Sequence, residues 1–567
     1  MDYVALPTGD SVLEVLLKTN RPPTEQETAT VLESILPINA KLEVVEARIS
    51  DAIAHIEALK SQVEQAEIKL QHLRDEEAAI LETLANHHRV FSSFRNLPED
   101  VLREICVTYV EADMPTLSYR GIIPSPYILA QICSEMRHIA LTTPVIWASM
   151  RVEIRSFEYD RHGFAQRVYS IMARRASEWF ERAGGLALTV SIEDTSDSDI
   201  MASVQSSVPD PSNILFDTLL SYSTRWKEIQ FDSFGDVIST PMIRIAALTA
   251  DDLPLLQSVS IHLEGRIYDP RFCDSVFLTI PTLKHLMLET DGDQTLTVNW
   301  SVLTSVTLRG NTDCYGYSKR ELARFLQQTK CLVSCDIHVD PLTASSEEHH
   351  SDKINLPFLK TLLVHEGKFA TATSRAPSIL DRITAPNLEV FHICDMFLDL
   401  SLADFFKRSP HIQKLSLPYL NKDQTLTGMM GLLRHCPSLT ALSLHHCQWD
   451  TTGREPSNRD ANSFLRAFVE EGDIGVICPC LQYFCFRGKC QFSLETLRLF
   501  LEGKQGEFAA LNALLPWKRV DISIKGIKDE EIRQQILDLV SQKRAAGLDI
   551  DAFIEGESRR RDHHLYL

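Results

Sequence analysis

One pattern constrains this chain more than any other. Pro-x-Leu-x-x-Leu-x-Leu, with aliphatic or aromatic substitutions, starts at Pro254, Pro281, Pro357, Pro386, Pro410, Pro437 and Pro479, and two further units around Leu303 and Leu332 keep the register without Pro. Successive starts lie 27, 20, 29, 27, 29, 24, 27 and 42 residues apart. A unit this short cannot bury its own leucines; stacking unit on unit turns them into a continuous core. Each unit predicts a strand, and the stretches between carry helix signals. Ser318-Lys319-Arg320-Glu321 before Leu322, Phe325 and Leu326 reads as a capping box, and Ser401 to Asp404 before Phe405 and Phe406 repeats the logic. The expected fold class is an α/β solenoid of parallel strands plus helices over 223–525, capped by weaker units at Trp226 and Trp517. The polar stretches GREPSNRDAN, before a helix expected over 462–470, and EDTSDSD, ahead of the repeats, read as loops.

This register resembles the leucine-rich-repeat proteins, whose repeats run from about 20 to 29 residues. The Asn/Cys position after each strand is filled only at Asn311 and Cys447, while Glu264, Gly367 and Lys489 depart from it, so the resemblance implies an irregular horseshoe. In such strands the residues between and just after the core leucines face the concave surface. Of 27 such positions six are His, in a chain with 19 His among 567 residues. His285, Arg309, His338, His365, His392, His445, Tyr483 and Arg487 are the candidate client-binding residues. His338 and His365 occupy equivalent places in neighbouring units, so their backbones are expected about 4.8 Å apart. A His ladder of this kind predicts recognition that is pH-sensitive near the imidazole pKa. The concave columns hold only Glu289 and Asp336 as acids, against Arg309, Lys414 and Arg487, which places the acidic excess elsewhere.

Ahead of the repeats, apolar residues recur every heptad from Leu42. The a positions are Leu42, Ile49, Ile56, Val63, Leu70, Glu77, Leu84 and Phe91; the d positions are Val45, Ala52, Leu59, Ala66, Leu73, Ile80 and His87. No Pro or Gly interrupts 39–92, so one coiled-coil helix is expected there, able to self-associate or pair with another protein. Then FRNLPEDVLREICVTYV predicts a helix from Pro98 with Val101, Leu102, Ile105, Cys106 and Tyr109 on one face. A Pro-rich link leads to a second block with Leu129, Ile132, Met136, Ile139, Pro144 and Trp147.

This order resembles the F-box, a three-helix module that docks on the Skp adaptor of cullin-RING ubiquitin ligases. The resemblance implies that Leu97, Pro98, Leu102 and Ile105 bind the adaptor, with Leu129, Ile132 and Trp147 packing the module or bordering that interface. The family often has Trp where Met136 stands, and the connection from Glu111 to Tyr127 is longer than usual. A coiled coil before an F-box and irregular repeats is similar to the large F-box families of mushroom-forming fungi. The implied function is a substrate receptor of a Skp-cullin-F-box ligase with an unknown client; the alternative is a non-ligase scaffold joining partners through coiled coil and solenoid. The segments read as 1–38 N-terminal, 39–92 coiled coil, 93–154 F-box-like, 155–222 linker, 223–525 repeats and 526–567 C-terminal helix and tail.

Charge narrows the partners. Lys and Arg number 57 against 77 Asp and Glu, a net charge of −20, which argues against nucleic acid. The start MDYVALPTGD has neither a basic nor an apolar leader region, and no apolar run approaches a membrane span, so a cytoplasmic or nuclear protein is expected. Thirteen scattered cysteines suit reduced thiols. The one cluster, Cys478, Cys480, Cys485 and Cys490, straddles a strand without paired zinc spacing, so no metal or cofactor is expected. No phosphate loop, GxSxG, HExxH or GxGxxG occurs, and no catalytic residue is assigned. The tail arginines Arg559, Arg560 and Arg561 read as a solvated terminus.

Overall fold

The computed structural model describes residues 12–19, 21–90, 93–155, 163–195, 210–234, 240–263, 270–273, 275–290, 296–310, 316–340, 353–366, 378–394, 402–419, 426–446, 458–470, 476–490, 492–524 and 530–554. The chain divides into two compact units at Pro98 and Glu99. The loop EDTSDSD beyond Thr195, the loop GREPSNRDAN before Asn458, Ser401 and the tail arginines lie outside the described residues.

The first unit is helical: α1 (Val12–Thr19) and α2 (Glu25–Val90). The helix α2 begins well ahead of the expected residue 39 and runs through Pro37. Thr24 and Glu27 explain the early start. The Glu27 carboxylate accepts from the Thr24 backbone N–H at 2.9 Å and the Glu27 N–H donates to Thr24 Oγ1 at 3.4 Å, a capping box. Pro37 removes one backbone donor, that facing the Glu33 carbonyl, and the exposed helix tolerates this loss because water can take its place. The heptad residues Leu42, Val45, Ile49, Ile56, Leu59, Val63, Leu70, Leu73, Ile80 and Leu84 are all exposed.

The second unit is organised by one parallel sheet. Its strands are β1 (Thr116–Leu117), β2 (Ser149–Ile154), β3 (Leu188–Asp194), β4 (Trp226–Ser233), β5 (Ser258–Leu263), β6 (His285–Glu289), β7 (Ser305–Arg309) and β8 (Ser334–Val339). They continue with β10 (Thr361–Glu366), β12 (Val390–Cys394), β13 (Lys414–Tyr419), β14 (Ala441–His446), β15 (Tyr483–Cys490), β16 (Arg519–Ile524) and β17 (Asp549–Ile554). Two short strands, β9 (Ile354–Asn355) and β11 (Ile383–Thr384), pair beside it. The fifteen strands of the main sheet lie in chain order, each beside the one before, as in a solenoid. The register follows the repeat: Ser258, His285, Ser305, Ser334, Thr361, Val390, Lys414, Ala441 and Tyr483 are successive partners.

One face of the sheet is apolar and covered. Val259, Leu286, Val306, Cys335, Leu362, Phe391, Leu415, Leu442 and Phe484 form a buried row across nine strands. Helices between strands add aromatic side chains: Phe325 stacks on Trp300 at 4.5 Å, Phe405 meets Phe391 at 4.9 Å, and Phe500 lies 5.0 Å from Phe484. The Ser318 capping box starts the helix Lys319–Gln328 as expected. The helix expected over 462–470 spans Asn458–Arg466.

The sheet reaches past both expected ends. Strands β2 and β3 fall in segments read as F-box-like and linker, and β17 in the segment read as C-terminal helix and tail. Their Met150, Val152 and Ile154, Leu188, Val190 and Ile192, and Ile550 are buried like the repeat leucines, but no Pro-x-Leu precedes them. The units at Trp226 and Trp517 are therefore interior, not caps: β4 pairs with β3 and β5, and β16 with β15 and β17. Replacing Leu362, fully buried in mid-sheet, by Ala should cost about 2–5 kcal/mol in urea unfolding. Thr361→Ala, on the opposite face of the same strand, should shift stability by about 0.5 kcal/mol or less.

Candidate functional site

Leu97 and Pro98 end the first unit, and two surfaces of the second unit carry the other candidate residues. The first is the helical block of α3 (Glu99–Glu111), α4 (Ser125–Ile132) and α5 (Ser134–Leu141), followed by a 3-10 turn at Pro144–Trp147. The expected start at Pro98 is displaced by one residue; Glu99 and Asp100 lie in the first turn, where the helix dipole favours acids. The single apolar face expected on α3 is two stripes. Leu102, Cys106 and Val110 are buried, while Val101, Ile105 and Tyr109, one position earlier, are exposed. Ile128 and Ile132 on α4 are exposed as well.

Leu102 and Trp147 are thus core residues and not available to a partner. Trp147, 0% exposed, donates its Nε1–H to the Ala140 carbonyl at 2.7 Å and meets Trp179 edge-on at 4.7 Å. Trp179 belongs to α6 (Phe164–Arg182), whose Arg182 guanidinium sits 4.7 Å above the Trp147 ring. Met136, where the F-box family often has Trp, is itself buried. The long connection has a structural role, since Thr116 and Leu117 within it form β1 against β2. Of the remaining adaptor candidates, Ile105 and Ile132 are 40% and 59% exposed, Pro98 is exposed and Leu97 half-buried.

The second surface is the polar face of the sheet. Here a ladder of charged and imidazole groups crosses the strands. His262 lies 3.9 Å from Asp232 and 4.0 Å from Glu289, whose register partner is Arg309. Arg309 donates to Asp336 Oδ2 from Nη2 at 2.6 Å and from Nε at 3.2 Å. Asp336 Oδ1 lies 3.7 Å from His365 Nε2, and the rings of His365 and His338 are 4.0 Å apart. Further along, His392 meets His445 edge-on at 5.8 Å, His445 is registered with Arg487, and Arg487 lies 3.5 Å from Asp521. His285 starts β6 outside this ladder, between Ser258 and Ser305 in register. Tyr483 is exposed, with the Lys518 ammonium 5.7 Å from its ring centre.

Asp336, His262, Asp232 and Asp521 were not among the candidates. For Asp336 the signal was present: it stands two residues before His338, on the same face of the same strand. The face is also more acidic than expected. The Trp226 and Trp517 units and the strands beyond them place Glu153, Glu193 and Asp232 in one column at one end, and Asp521, Asp549 and Asp551 at the other. Of the clustered cysteines, Cys478 is buried against the Leu433 and Cys436 carbonyls, whereas Cys485 faces Asp521 at 3.9 Å; the Cys490 side chain lies outside the described residues.

No protein-family model matches this chain, and no curated protein matches it. Among the described residues no helix is long and apolar enough to cross a membrane.

Burial lowers the imidazole pKa of His338, His392 and His445. His338 is pushed down to about 4 by burial and then by His365 beside it, and His392 is lowered by burial and the same neighbour. His445 is pushed down to about 4 by burial, with His392 and Arg487 adding to it. His338 and His445 are neutral at the pH where a free imidazole titrates. In the unfolded chain His445 returns to its ordinary value of 6.5. Between 6.5 and 4 the unfolded chain holds the extra proton, so stability falls as pH drops through that window and is unaffected above it. His445→Gln should flatten the pH dependence of the unfolding free energy across this window, by about 3 kcal/mol; an unchanged profile would assign the loss to other groups.

Proposed function

We propose that the chain is the substrate-receptor subunit of a Skp-cullin-F-box type ubiquitin ligase, with an irregular leucine-rich-repeat horseshoe as its client-binding part. What carries this reading is the exposed stripe Val101, Ile105 and Tyr109, with Ile128 and Ile132, on a small helical block whose other stripe is core. A block that needed only to pack on the sheet would have no use for a second apolar stripe in water. The receptor itself holds no catalytic group in this reading. It acts by proximity, raising the effective concentration of a bound client near a ubiquitin-loaded partner enzyme. The polar sheet face, rather than the acidic surface as a whole, presents the client-binding residues.

A purified Skp-type adaptor should be retained by the wild-type chain and lost with Ile105→Asp and Ile132→Asp, and with Leu97→Ala and Pro98→Ala together. The Asp variants should keep the wild-type melting temperature, because both side chains are exposed. No adaptor retention by the wild type would favour the scaffold reading, in which the helical block is only structural.

The exposed heptad seam of α2 fits a second copy of this chain, and its charges favour an antiparallel pair. In a parallel pair Glu77 would face Glu77 of the second copy in the core, and Lys69 would flank Arg74. In an antiparallel pair centred between Val63 and Ala66, Glu77 faces Ala52 and Lys60 flanks Glu67. Light scattering should give a dimer, and Ala52→Cys with Glu77→Cys should give an intermolecular disulfide on oxidation. A monomer, or a cross-link formed by Glu77→Cys alone, would refute the antiparallel pair.

A further inference from the structure

Asp336, His338 and His365 stand out within the ladder because two of their polar atoms have nothing to bind. Asp336 is 8% exposed, and its Oδ1 is buried without a hydrogen-bond partner. His338 Nε2 is likewise buried and unpartnered. A carboxylate oxygen and an imidazole nitrogen withheld from water cost stability unless something else binds them. One ligand atom from each of the three residues lies within 4.8 Å of the other two. We propose that these three side chains form a zinc(II) site, with a fourth coordination position open toward the polar face of the sheet.

The chemistry of the donors fits that ion. Two imidazoles and one carboxylate are the mixed nitrogen and oxygen set that zinc takes when one position is left for water or an incoming ligand. Tetrahedral zinc holds its ligand atoms about 3.3 Å apart. The Asp336 to His365 distance of 3.7 Å is already close to that. Arg309 grips Asp336 through Oδ2 only, which fixes the carboxylate plane and leaves Oδ1 turned to the imidazoles. An outer partner that orients a ligating carboxylate is a regular part of zinc sites. The position of Arg309 also sets the affinity, since its positive charge opposes a dication a few ångströms away.

The site belongs to the sheet and stands whether or not the chain is a ligase receptor. An open zinc position on a client-binding face would give it a strong, directional contact for a thiolate, imidazole or carboxylate of a bound protein. Recognition would then be selective for segments able to present such a group.

The test uses the full chain, stripped with chelator, dialysed and titrated with zinc chloride against a chromophoric competitor. The expected result is one competitor-resistant zinc per chain. His365→Gln and Asp336→Asn should each weaken it by at least about tenfold, and His445→Gln should leave it unchanged. Circular dichroism of the metal-free variants separates loss of ligand from loss of fold, and His365→Gln keeps a polar side chain of similar size for that purpose. A wild-type chain that retains no zinc would overturn the proposal. So would zinc retained equally by His365→Gln and Asp336→Asn while both remain folded.

Discussion

The register between neighbouring strands is the constraint on which the rest of the second unit depends. Each strand is too short to exclude water from its own side chains, and each exposes a row of backbone donors and acceptors on both edges. Stacking in chain order satisfies both needs at once: Leu362 finds Cys335 on one side and Phe391 on the other, and the backbone of each strand fills the edge of the next. The loops can vary from one unit to another because the strands alone fix the spacing. This explains how starts 20 to 42 residues apart produce one continuous sheet. A nearest-neighbour architecture also distributes stability, so each interface contributes separately and a lesion is felt first by its two neighbours.

Much of that sheet was legible, because period two along a strand and a fixed offset between strands leave a direct trace in the order of residues. What escaped was whatever lacked the Pro-x-Leu introduction. The SMRVEI and LTVSIED strands bury alternate side chains as the recognised repeats do, yet without that lead-in they resemble any short apolar run. Trp226 and Trp517 looked terminal only because their outer neighbours had gone unrecognised. In α3, neighbouring positions such as Val101 and Leu102 belong to the same broad apolar arc in sequence. Tertiary packing of α3 against α4, α5 and the Pro144–Trp147 turn decides which of them is buried, and that information is not local. The helix α2 starts ahead of the heptads and runs through Pro37, which removes one backbone hydrogen bond and crowds the Glu33 carbonyl, while the Thr24 and Glu27 cap helps to offset that cost.

Charge shows the same division between local and distant information. Glu153, Glu193 and Asp232 are ordinary acids in the sequence, separated by about forty residues at each step. Parallel pairing puts them side by side on adjacent strands, where like charges repel unless countercharges or water intervene. Arg120 lies 3.5 Å from Glu153 and Arg155 lies 3.9 Å from it, so the first of these acids is partly compensated. His262 stands beside Asp232. At the other end Asp521, Asp549 and Asp551 lie 3.5, 3.6 and 3.0 Å from Arg487, Arg519 and Arg544, so the acids there are ion-paired as well.

The middle of the face gains its chemistry from the register that builds the core. Asp336 and His338 project to the polar side because Cys335, Ile337 and Val339 project to the covered side. His365 joins them because the next strand repeats the same alternation without a shift. A slip of one residue between β8 and β10 would turn His365 into the core and Val364 into water, losing the cluster and the leucine row together. The polar cluster is thus protected by the hydrophobic core: no alternative pairing preserves one while abandoning the other. Because the core holds the register so firmly, the face can keep a buried carboxylate oxygen and a buried imidazole nitrogen unpartnered, a destabilising arrangement that a looser sheet would relieve by shifting.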